Sequence, residues 1–182
     1  GGHNPAVGNH PRPCGRPAGG GYAILLPDLV FTGGHPGPWM LECLVPGVQK
    51  LVEMGVADPK KLGLHGHSWG GYGTAYLVTQ TDMFAAAVTG APVANMTSAY
   101  GGIRWESGVA RLMQYEKQQS RIGGSLWEKR DLFIENSALF FADRIKTPLL
   151  IEHGDEDGAV PWYQSIELYL ALRRLGKDCI LL

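Results

Sequence analysis

No apolar run in this sequence approaches the ~18–20 residues of a bilayer-spanning helix, so membrane classes built on helical spans are excluded. Neither sign of charge is in surplus. Sixteen Lys and Arg face seventeen Asp and Glu, a formal net charge of −1, so charge marks no nucleic-acid or anionic-membrane surface. Cysteine is scarce: Cys14, Cys43 and Cys179 are far apart, with no CxxC pair, which rules out a disulfide framework. Cys43 and Cys179 lie in apolar segments and are expected to pack as small hydrophobes. The start is neither basic nor followed by an apolar core, so no signal-peptide pattern is visible. Repeats and heptads are lacking too. What is there suits one soluble globular domain: 182 residues, 45% of them hydrophobic and 18% charged.

Glycine and proline are plentiful but unevenly placed. Residues 1–21, "GGHNPAVGNHPRPCGRPAGGG", have no periodicity and almost nothing to bury, and are read as irregular. His3 and His10 there could be imagined as metal ligands, but they sit in what reads as filler. The domain is expected over 22–182. "YAILLPD" (22–28) predicts a buried strand, and 29–38 a loop. In "WMLECLVPGVQKLVEMG" (39–55) apolar residues recur at helical spacing, with Gly55 as a stop and Pro46 as a kink or true first turn. "KLGLHG" (61–66) and "FAAAVTGAP" (84–92) predict strands around a helix, "GYGTAYLVTQ" (71–80). Residues 93–145 offer helical pieces at 108–119 and 125–137 and no strand signal. Then come a strand in "TPLLIEHGDED" (147–157), a helix in "WYQSIELYLALRRLG" (162–176) and a strand in "DCILL" (178–182). This alternation predicts an α/β fold, a parallel sheet with helices on both faces. Active sites of such sheets lie at the carboxyl ends of the strands.

Ser68 sits at such an end, in Gly66-His67-Ser68-Trp69-Gly70 between a strand and a helix. GxSxG in that context is the pattern of a nucleophile elbow. A sharp turn pushes the serine Oγ up from the sheet, and the residues two before and two after are expected to crowd each other, so a Cβ there would clash. Gly71 is expected to extend the permissive stretch. The Trp69 N–H, at the start of the helix, is placed to stabilise an oxyanion. The plain alternative is a glycine-rich turn without chemistry. The loop has neither GK[ST] nor GxGxxG, so it is no phosphate cradle.

A serine hydrolase of this design needs a carboxylate after a later strand, in the chain order Ser, Asp, His. "HGDEDGAVPW" supplies Asp155, Glu156 and Asp157. At this point "GHSWGGY" (66–72), "GAPV" (90–93) and "TPLLIEHGDEDGAVPWYQSIELYLALRRLGK" (147–177) resemble the catalytic domain of the prolyl oligopeptidase family of serine peptidases, an α/β-hydrolase fold. The acylaminoacyl-peptidase and dipeptidyl-peptidase branches are the most similar, over about residues 22–182. The resemblance implies that the acid lies three residues before the Val of the "VP" step, which points to Asp157. It also implies that Trp69 lines the site and that the region after Pro92 shapes the specificity pocket, with Tyr100 as the candidate pocket residue.

No histidine follows Asp157. His67 directly precedes Ser68 and points away from it, His65 lies on the strand, and His153 matches the family's "HG" step and reads as structural. The resemblance therefore implies that the triad histidine lies beyond residue 182. It implies as well that the domain's first strands, and the loop whose tyrosine completes the oxyanion hole, precede residue 22, usually behind a β-propeller domain. Without its base Ser68 is a poor nucleophile, so these residues alone are expected to be nearly inactive. The expected activity is hydrolysis of short peptides through an acyl-enzyme on Ser68, with no metal or cofactor. The alternatives are a carboxylesterase on the same fold and a catalytically dead scaffold.

Overall fold

The computed structural model describes residues 20–182; His3, His10, Cys14 and most of the Gly/Pro-rich segment lie outside them. Four short strands, β1 (Gly63–His67), β2 (Ala86–Gly90), β5 (Leu149–Glu152) and β6 (Cys179–Leu181), form one parallel sheet in that spatial order. Registry aligns Leu64, Ala87, Leu149 and Cys179 in one row across the sheet. Two residues on, Gly66, Thr89, Ile151 and Leu181 form the next. Period-two alternation puts both rows on the same face. That face packs beneath Ala75 and Val78 of α2 (Trp69–Gln80) and Leu168 and Leu172 of α6 (Tyr163–Arg174).

α2 is the central helix. Residues 71–79 are all buried, so it has no polar stripe to betray a period. α1 (Pro36–Glu53) lies against it so closely that a Cβ at Gly37 would meet the Tyr76 ring at 2.5 Å. Pro36 and Pro38 fall in the first turn of α1, where their missing N–H groups cost nothing. The helix runs on through Pro46 and ends before Gly55, whose φ is +70°. A 3-10 segment (Ala138–Arg144) fills the space between α2 and α6.

Three expectations need correction. Residues 22–28 form no strand and are mostly exposed, Leu26 to 77%; they pair with none of the described strands, and the outer edge of β1 stays open. The 93–145 segment does contain strands: β3 (Ile103–Arg104) and β4 (Val109–Ala110) pair antiparallel around a turn with Gly108 at φ +69°. Two residues per strand are too few to register as alternation. The helices there are also shorter than expected: α3 (Met96–Tyr100), α4 (Leu112–Glu116) and α5 (Arg130–Glu135). The parallel sheet with its helices is the expected α/β architecture; among the described residues the helices roof one face, while the other carries exposed His65 and Ile180, the latter 58% exposed. Cys43 and Cys179 are free thiols, the second buried.

Candidate active site

Ser68 closes β1 and is the N-cap of α2. Serine is common at that position because its hydroxyl can cap the helix amides. Here it does not: φ 57° and ψ −115° swing the side chain away, and no cap bond forms. Such a backbone in a non-glycine residue costs about 1–3 kcal/mol and persists only where the surroundings enforce it. The Ser68 N–H donates to Gly90 O at 2.8 Å, tying the turn to the end of β2, and the Tyr72 N–H donates to Ser68 O at 2.9 Å to begin the helix. The residue is exposed at the carboxyl end of the sheet. The amides of Trp69, Gly70 and Gly71 come before that first helical bond, and their dipoles point at the same place.

The steric reading of the glycines is corrected in one respect. A Cβ on Gly66 would lie 2.2 Å from Gly70 O and 2.7 Å from Thr74 Oγ1. A Cβ on Gly70 would meet nothing within 4 Å. The crowding is one-sided, and the second indispensable glycine is Gly71, where a Cβ would stand 2.2 Å from Gly90 O. The Thr89 hydroxyl donates to Gly71 O at 2.8 Å and holds that close approach of strand to helix.

Beside the serine, Trp69 stacks on buried Tyr72 with centroids 4.4 Å apart, and Phe31 meets Trp69 at 6.5 Å. The Arg121 guanidinium lies 5.7 Å from the Phe31 ring. Neither Phe31 nor Arg121 carried a signal in the sequence, since their proximity is purely tertiary. Tyr100 is in the core with Tyr115 and Phe133; its hydroxyl donates to Glu116 at 2.6 Å, and its ring meets exposed Trp127 edge-on.

β5 delivers the acidic loop at the same end of the sheet. The three acids fare differently. Asp155 and Glu156 are exposed. Asp157 turns inward, and its Oδ1 accepts the N–H groups of Ala159 at 2.8 Å and Val160 at 2.9 Å. His153, its side chain 2% exposed, accepts at Nδ1 from the Ser165 hydroxyl at 2.7 Å, donates from Nε2 to Val160 O at 3.0 Å and lies 3.4 Å from Asp157 Oδ2. Burial lowers its pKa, against the pull of the Val160 carbonyl and Asp157. Both ring nitrogens of His153 are thus engaged by Ser165 and Val160. A hollow of about 490 Å³ between Val52, Pro59, Leu62 and Met83 opens at the amino ends of β1 and β2, away from Ser68.

A family model described as "Prolyl oligopeptidase family" matches residues 34–182. Among curated proteins, "Uncharacterized peptidase YuxL" of Bacillus subtilis is 34% identical over 121 residues, 66% of this chain and 17% of that protein. "Probable glutamyl endopeptidase, chloroplastic" of Arabidopsis thaliana is 30% identical over 72% of this chain and 12% of its own length. Among solved structures, a puromycin-hydrolyzing peptidase of Mycobacterium tuberculosis aligns with TM-score 0.68 and 31% identity over 79% of this chain and 20% of that one. The Pyrococcus horikoshii acylaminoacyl peptidase aligns with TM-score 0.64 and 28% identity over 74% and 21%. The chain thus spans about a fifth or less of the length of these relatives.

Proposed function

Since the chain belongs to the prolyl oligopeptidase family, we propose that it carries the nucleophile and the acid of a serine peptidase that cleaves short peptides. Ser68 Oγ attacks the scissile carbonyl carbon and forms an acyl-enzyme, which water then hydrolyses. The developing oxyanion is held by the Trp69 N–H and the dipoles of the first turn of α2. Asp157 orients the imidazole that takes the Ser68 proton and passes it to the leaving amine. That imidazole belongs to a histidine outside these 182 residues, and a β-propeller domain precedes the catalytic domain in the whole protein. The Trp69 ring forms a wall of the substrate site, and Tyr100 backs the pocket from the core. The observation that carries this reading is the strained Ser68 backbone, maintained by two glycines that cannot be anything larger while its hydroxyl is spared from capping.

A fluorophosphonate probe tests it on the full-length protein. Labelling is expected on the native protein and absent on Ser68→Ala; equal labelling of both refutes the nucleophile. The same preparation distinguishes the acids. Asp157→Asn is expected to lower kcat by about 10⁴-fold, as loss of the orienting acid does elsewhere. Asp155→Asn should change it little, because that carboxylate is exposed and outside the turn.

A further inference from the structure

Asp157 is only as well placed as the loop that carries it, and the peptide groups after it are tied down one by one. The N–H groups of Ala159 and Val160 are spent on its carboxylate. The three following carbonyls are each capped, two of them from outside the loop. Gly158 O accepts from the Glu106 N–H at 3.2 Å, Ala159 O from Arg111 Nη1, and Val160 O from His153 Nε2. Two of those donors come from one place, the β3–β4 hairpin and the residue that follows it.

Arg111 is the unusual member. It is completely buried, and among the described residues no carboxylate pairs with it. Its Nε and Nη2 both bond to the Tyr115 hydroxyl, at 3.2 and 2.8 Å, and the guanidinium lies 5.5 Å from the Tyr115 ring centroid. A buried cation satisfied by a phenol and a carbonyl is costly to keep, and a neutral side chain of similar volume would pack there more cheaply. Its rigid fork is what lets one side chain grip Tyr115 and Ala159 O together. The Arg111 N–H donates to Gly102 O, and Gly102 in turn sits against Pro161, so hairpin and loop close on each other at both ends.

We propose that Arg111 is a positioning residue for Asp157: by holding the Ala159 carbonyl it fixes the peptide whose N–H orients the acid. The inference rests on Asp157 being the acid of a Ser68 peptidase. Displacing a catalytic group by about 1 Å can cost on the order of 10²-fold in rate. Arg111→Met in the full-length enzyme is therefore expected to lower kcat by about 10- to 100-fold, with KM for a chromogenic short peptide within about twofold. Arg111→Lys should retain part of the lost kcat, since it keeps one donor near Ala159 O. In an Asp157→Asn background the same Arg111→Met should cost less than about threefold, because an effect that acts through the acid has nothing left to act on.

Equal losses in both backgrounds, or a loss confined to KM, overturn the proposal. Should Arg111→Met not fold, Tyr115→Phe removes the hydroxyl that aims the guanidinium while leaving the charge in place. It is expected to give a smaller kcat loss that likewise vanishes with Asp157→Asn, and an undiminished loss there overturns the proposal. Native protein that fluorophosphonate does not label sinks the peptidase reading and this inference together. Labelled protein with multiplicative losses sinks the inference alone.

Discussion

At Ser68 the chain gives up a helix cap to obtain an exposed hydroxyl, and the neighbours that make this tolerable are unequal. Gly66 and Gly71 each face backbone at 2.2 Å, one on the following turn and one on the adjacent strand. Backbone cannot step aside as a flexible side chain can. Gly66→Ala and Gly71→Ala are expected to yield protein that is insoluble or several degrees less stable in thermal melts. Gly70→Ala should melt within about 2 °C of the native protein, since its Cβ points into open space and alanine is the better helix former. A Gly70→Ala protein as damaged as Gly66→Ala would mean the elbow is built otherwise. The motif was legible in the sequence because glycine spacing around a serine is local. Which glycines are essential was not, because Gly71 answers to Gly90, nineteen residues away. For the same reason Asp157 could be picked from three adjacent acids only by resemblance, while the two amides that bind it emerge only once the loop folds.

The elements that could be read from their period were those with one buried face and one exposed face. α6 has an apolar stripe, a basic last turn and Gly176 beyond it at φ +66°, and it lies where its period puts it. α2 was found by position and length, since burial on every side erases its stripe. The β3–β4 hairpin escaped because it is pinned by contacts to the acidic loop and hardly by its own ladder. The β5–α6 connection makes a pH prediction of its own. Burial keeps the His153 pKa below its ordinary 6.5, so the folded state resists a proton that the unfolded chain accepts. Between that value and the lower folded one the unfolded state binds more protons, and stability falls as pH falls. Above pH 6.5 this loss is absent. Urea midpoints at pH 7.5 and 5.5 should therefore drop more in the native protein than in His153→Gln. Equal drops would show that His153 does not carry the acid sensitivity.

For the molecule as a whole, the order β1-β2-β5-β6 leaves two sheet edges without strand partners among the described residues, and one face without helices. Parallel edges with apolar side chains nearby are templates for pairing with other chains. The 182 residues expressed by themselves should self-associate, seen as rising mass in sedimentation at increasing concentration. Ile180→Lys, which puts a charge on exposed edge strand β6, is expected to suppress that while shifting the melting midpoint by less than about 3 °C. Unchanged association would place the contact elsewhere.

The link from Arg111 to the Ala159 carbonyl also bears on how such an enzyme could be altered. On the proposed reading, the segment after β2 shapes substrate preference. That segment also bonds to the loop of Asp157, so on the same reading preference and turnover are not independent dials. A graft of 102–115 from another protein would need to bring 157–161 with it. Lineages that diversify the first stretch should show matched changes in the second.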